Sequence, residues 1–144
     1  MATPFVDIYS RAIFRFADHE FLKKDIETRE GVLEKYLISA VTEFRRICKT
    51  DIGEYDLELK EFNEDLEDEV IEILALGIAF YWLSYKSLNS ELLKNVLNSK
   101  DYYYYSPANL LKEIQTLRKT LRDEFNSRLR HFSYNNSTLS TLKA

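Results

Sequence analysis

An all-α fold, a compact helical bundle of about four to five helices with a long C-terminal helix, is what this chain of 144 residues predicts. Three observations lead there. Gly and Pro are scarce, at three and two residues, whereas sandwiches and barrels need many turn residues. Apolar residues recur at i, i+3, i+4 over long stretches, the period of a helix buried on one face. The strongest apolar run, 70–83, is nearly apolar all round, as befits a helix at the centre of a bundle. The length suits one domain with a real core. We place that domain over 1–132, followed by an extended C-terminal tail over 133–144.

The first helix runs from Pro4 to about Asp18, with Thr3 as its cap and Pro4 at the first position, where a missing N–H costs nothing. Phe5, Ile8, Ala12 and Phe16 form its apolar face, with Val6, Tyr9 and Ile13 beside them. Asp25 or Thr28 opens the second helix. Leu33, Tyr36, Leu37, Ala40, Val41, Phe44, Ile47 and Cys48 face inward, and Glu34, Lys35, Glu43, Arg45 and Arg46 face out; it ends near Thr50. Residues 54–72 hold ten acids against Lys60 alone, and Leu57, Leu59 and Phe62 fit a short extended piece. Asn63 or Asp65 caps a third helix reaching about Tyr85, whose early acids favour the helix dipole. A short helix spans Leu88 to Leu97 from an Asn89 or Ser90 cap. Ser106 caps and Pro107 starts the last helix. It carries the stripe Leu110, Ile114, Leu117, Leu121, Phe125, Leu129 and Phe132, and is roughly 40 Å long. Beyond it, 133–144 is polar and aperiodic, a composition that does not fold alone.

Charge divides along the chain. Residues 1–72 carry 10 Lys/Arg and 19 Asp/Glu, a net −9; residues 73–144 carry 10 and 5, a net +5. Such asymmetry fits head-to-tail packing between copies, a partner of opposite sign, or separate acidic and basic solvated faces. One cysteine, Cys48, rules out an internal disulfide and falls on an apolar face, where a thiol is inert. The start MATPF has neither the basic region nor the apolar core of a signal peptide. The run 70–83 is too short to span a bilayer. We expect cytoplasmic synthesis and no membrane partner.

The chemistry points away from catalysis, cofactors and metals. His19 and His131 lack metal-ligand spacing. No Gly-rich phosphate loop, nucleophile elbow or EF-hand loop is present. Asp65/Glu69 and Asp68/Glu72 have the i, i+4 spacing of a shared cation, but a solvated acidic face needs the same pattern. The last helix carries Lys112, Arg118, Lys119, Arg122, Arg128 and Arg130, so a small helical DNA-binding or regulatory protein is the alternative class. Glu113, Asp123 and Glu124 interrupt that basic face, and phosphate affinity depends on uncompensated cations.

Tyr102, Tyr103, Tyr104 and Tyr105 run directly into Ser106-Pro107-Ala108-Asn109-Leu110-Leu111. An extended stretch points alternate rings to opposite faces, which suits a strip held between two surfaces. The acidic run Glu64-Asp65-Leu66-Glu67-Asp68-Glu69, the helix from Ile71 to Leu83, and Tyr105-Ser106-Pro107-Ala108-Asn109-Leu110-Leu111 together resemble the small helical neck proteins of tailed bacteriophages, their head–tail connectors or adaptors. The resemblance covers roughly 60–135. It implies a structural virion protein made in the host cytoplasm: a ring, twelve-fold in the family, under the portal and extending the DNA channel. The implied partners are further copies of itself, the portal protein by way of the C-terminal tail, another neck or tail-completion protein, and DNA passing without sequence-specific contact. Candidate contact residues are Tyr102, Tyr103, Tyr104, Tyr105, Arg128, Arg130, Tyr134, Leu139 and Leu142.

Replacing Tyr103 and Tyr104 by Ser is expected to weaken assembly more than monomer folding. Sedimentation velocity against thermal melts of the monomer checks this, and equal loss of both would make the rings plain core.

Overall fold

The apolar helix expected near the middle of the chain forms, and the other elements pack around it. In this computed structural model, residues 2–16, 25–48, 52–97 and 107–142 are described, with side chains for all but 16, 86–97, 107–111 and 135–142. The order is β1 (Thr3–Pro4), α1 (Phe5–Phe16), α2 (Ile26–Cys48), β2 (Tyr55–Asp56), β3 (Glu61–Phe62), α3 (Asp68–Leu97) and α4 (Pro107–Leu142). The fold is mostly helical, with four helices among the described residues and a long C-terminal one, as the sequence predicts. What helical periodicity does not disclose is a small antiparallel sheet of order β1-β3-β2. It pairs Thr3 with Phe62 and Tyr55 with Phe62.

The sheet changes the role of Thr3. Its hydroxyl does not cap α1. It donates to the Glu64 carbonyl (3.1 Å) and accepts from the Leu66 N–H (2.9 Å), fastening the start of the chain to the approach of α3. α1 begins one residue later than expected, at Phe5, whose N–H donates to the Lys60 carbonyl. Asp25 is the cap of α2: its carboxylate accepts from the Thr28 N–H and hydroxyl, which supply a polar partner to one of the orphan first-turn amides. α3 starts at Asp68, three residues past Asp65, because 61–62 are drawn into the sheet. It then runs unbroken to Leu97. The separate helix expected from Asn89 or Ser90 is its continuation, since neither residue breaks a helix already propagating, and each costs only a few tenths of a kcal/mol there.

α4 also outruns its expectation. Phe132, the last residue of the predicted stripe, is buried, the last such side chain among the described residues, and the helical backbone continues to Leu142. Residues 133–142 are therefore helical and not extended. Adding a residue to an existing helix requires no new nucleus, so polar Ser, Thr and Asn can be carried along. At 36 residues the helix is about 54 Å long.

Phe5, Ile8, Leu33, Leu37, Phe44, Phe62, Ile73, Leu74, Leu76, Ile78, Phe125 and Leu129 are fully enclosed at the centre. Burying each contributes about 1.5–3 kcal/mol. Phe5 meets Phe62 edge-on at 5.3 Å between centroids, joining α1 to the sheet. α3 and α4 run antiparallel, with Gly77 by Phe125, Phe80 by Arg122 and Ser84 by Arg118. The stripe on α4 is shifted from the one read in sequence: Leu117 is 56% exposed, and Arg118 and Arg122 take the turn facing α3.

Gly77 sits where α2, α3 and α4 converge. A Cβ built there falls 2.7 Å from the Ala40 Cβ and 3.1 Å from the Phe125 ring. Gly77→Ala is thus expected to destabilise by roughly 1–3 kcal/mol through overpacking. Gly31, exposed within α2 with nothing inside 4 Å of its Cβ position, is its counterpart. Gly31→Ala is expected to stabilise by about 0.5–1 kcal/mol. Denaturant midpoints of the two variants, moving in opposite directions, check both.

Candidate functional site

The densest polar constellation lies where α2, α3 and α4 meet. Glu43, placed on the outer face of α2 by sequence periodicity, is in fact buried at 7% exposure. Arg122 from α4 covers it with a two-pronged contact: Nη1 donates to Oε2 at 3.0 Å and Nη2 to Oε1. The Tyr81 hydroxyl of α3 also donates to Oε2, at 2.6 Å. Arg46, one turn along α2, stands 3.7 Å from Oε1. Arg122 lies over the Phe80 and Phe125 rings, with its guanidinium carbon 5.1 and 5.8 Å from their centroids, so its planar cation is sandwiched between aromatic and carboxylate partners.

The electrostatics follow from that geometry. Burial raises the Glu43 pKa, but hydrogen bonds from Arg122 and Tyr81 and the nearby guanidinium charges more than offset it, and the net shift is downward. Tyr81 moves the other way: burial first, then the Glu43 carboxylate, push its hydroxyl up to about 12. The tyrosine therefore stays a neutral donor and the glutamate an anionic acceptor across the ordinary pH range. Above this knot lies an open groove of about 450 Å³, lined by Ile38, Ser39, Thr42, Glu43, Arg46, Tyr81 and Arg122. The Ser39 and Thr42 hydroxyls donate back to carbonyls of their own helix and keep lone pairs available.

A second cluster joins α1 to α3. Arg11 donates to Glu72 (3.0 Å) and to Asp68, and Arg15 donates to Glu72 (3.0 Å) and lies 3.7 Å from Glu124. The Asp68/Glu72 pair, spaced for a cation, thus holds two guanidiniums. Among the described residues no group of three or more His, Cys, Asp or Glu is arranged to hold a metal. No helix there is long and apolar enough to cross a membrane.

Cys48 is buried at 3% exposure, with Sγ donating to the Leu129 carbonyl at 3.4 Å. Burial pushes its thiol up to about 11, which leaves it protonated and a poor nucleophile at neutral pH. His131 is exposed on α4, and His19 lies outside the described residues.

Of the contact residues expected from sequence, Arg128, Arg130 and Tyr134 fall among the described side chains. Tyr102, Tyr103, Tyr104 and Tyr105 lie outside the described residues, as does the Ser106 cap. Arg128 is half-buried and 3.3 Å from Glu124, one turn away; Arg130 is exposed; Tyr134 is 66% exposed. Leu139 and Leu142 lie on the helical backbone of α4, with side chains outside the description. The basic face of α4 is thinner than its composition. Arg118, itself exposed, donates to the Ser84 hydroxyl (2.8 Å) and overlies Phe80, and Arg122 is tied to Glu43; Lys112, Lys119 and Arg130 are exposed as well.

Sequence reading missed Glu43, Tyr81 and Arg122 as a set. The available signal was positional. Glu43 shares a turn with Ala40 and Phe44, and Arg122 sits between Leu121 and Phe125, so opposite charges flank two apolar stripes that must face a common core.

No protein-family model, curated protein or solved structure matches this chain.

Removing one partner of a buried pair leaves the other uncompensated, so Arg122→Ala is expected to cost roughly 3 kcal/mol, and Glu43→Gln less because it keeps hydrogen-bonding capacity. A carboxylate lowered in the folded state contributes stability that is present above its unfolded pKa and lost as pH falls through its folded value. Wild-type stability should therefore decline below about pH 4.5, and Glu43→Gln should flatten part of that decline. Urea midpoints from pH 7 to 3 check the sign. Asp68 and Glu72, also lowered, account for a residual slope.

Proposed function

We propose that this chain is a structural assembly protein of the tailed-phage neck, an adaptor that forms a ring between portal and tail components and extends the DNA channel. The observation that carries the reading is the reach of α4. The helix continues for ten residues after Phe132, the last buried side chain among those described, and is 36 residues long in all. A helical arm on a small bundle suits a protein whose task is to reach a neighbour. The division of charge between the two halves of the chain supports contacts between unlike surfaces, the kind that close rings. DNA in such a channel is passed and not read. That agrees with an α4 whose Arg122 is tied to the buried Glu43 and whose Arg118, though exposed, is bonded to Ser84.

Electron microscopy of the purified protein, alone and with portal, is expected to show rings with a central hole. Deleting 133–144 should abolish portal docking and leave the helical fold in place, although it removes the 3.4 Å hydrogen bond from the Ser133 hydroxyl to the Ile47 carbonyl. A protein that stays monomeric with portal at near-physiological salt overturns the reading.

A further inference from the structure

The turn between β2 and β3 and the groove on α2 carry complementary chemistry on one chain. The turn displays Leu57 and Leu59, 46% and 67% exposed, on either side of the exposed Glu58. It is also rigid. Asp56 Oδ1 accepts from the Glu58 N–H (2.8 Å) and the Leu59 N–H (3.1 Å). Lys60 holds the left-handed φ of 55°, its carbonyl accepts from the Phe5 N–H, and its ammonium reaches Glu34 at 2.6 Å. A pre-ordered knob of this kind loses little conformational freedom on docking.

The groove has the opposite character. Ile38 and the Tyr81 ring offer apolar wall, and Arg46 and Arg122 set two guanidiniums against the single Glu43 carboxylate. Arg122 and Tyr81 already satisfy Glu43, so Arg46, 72% exposed and 3.7 Å away, is available to an incoming carboxylate. We propose that the Leu57-Glu58-Leu59 tip of one copy seats in the groove of the next, with Glu58 on Arg46 and the leucines against Ile38 and Tyr81. A chain does not fill its own groove. The Lys60–Glu34 and Arg45–Gly53 contacts hold the turn on the side of α2 that carries 34 and 45, roughly a quarter-turn from 39, 42 and 46. The two patches are unlike, so the contact is heterologous and propagates into a ring or filament. This inference deepens the assembly reading and rests on it by supplying the subunit contact.

The test uses the full chain and two charge reversals, Glu58→Arg and Arg46→Glu, read by sedimentation velocity after circular dichroism confirms folding. Each alone is expected to weaken self-association at least about tenfold. An equimolar mixture should recover it, because each mixed contact pairs either two native or two reversed partners. Should a reversal disturb folding, Leu59→Cys combined with Thr42→Cys is expected to give intermolecular disulfide ladders under mild oxidation, with Cys48 buried and silent. Wild-type association by both reversals, loss in Arg46→Glu only, an absence of ladders, or a wild type that is monomeric at all concentrations would each overturn the contact. Normal portal binding with rings indifferent to both reversals would sink this contact and keep the neck assignment. Association through this contact without any portal binding would do the reverse.

Discussion

The Glu43 carboxylate constrains the arrangement of three helices at once. A charge this enclosed is tolerated only with its partners in place, and those partners come from α3 and α4. If either helix slid by a residue, the carboxylate would lose Tyr81 or Arg122 and keep only part of its compensation. Apolar contacts alone are permissive of such slips, since many registers bury similar area. The buried ion therefore selects one register from many, and its contribution lies more in that choice than in net stability.

The helices differ in how they are held. α2, α3 and α4 converge where Gly77 removes the obstacle to Ala40 and Phe125, a contact ruled by shape. α1 is attached by layers. Phe5, Ile8 and Ala12 are enclosed beneath, while Arg11 and Arg15 close over the top onto the first acids of α3. Those acids favour the start of α3 through its dipole and recruit α1 through its arginines, so the same residues serve helix formation and docking.

Much of the fold could be read from the residues because helix and burial share a period. The apolar faces of α1 and α2, the enclosed 70–83 segment and the burial of Phe125, Leu129 and Phe132 on α4 all follow from spacing. The misses have a common cause. Thr3, Glu43, Arg118 and Arg122 are polar, so a pattern of apolar positions assigns them outward or to local caps, while their partners lie 34 to 79 residues away in sequence. The sheet was legible only as a short extended piece around Leu57, Leu59 and Phe62, since two-residue strands carry no period and the β1–β3 pairing joins distant segments. The same limit applies to the candidate site. Single charged residues were visible, but which cation would meet which carboxylate depends on how helices cross.

The fastening at Thr3 orders events in time. The first residues of the chain bond to Lys60, Glu64 and Leu66, and β1 finds its pairing partner only in β3. Until β3 is made, β1 has no mate, while β2 and β3 pair locally. Loops this long close late relative to neighbouring pairings. α1 is therefore made before the elements that hold it and secured among the last.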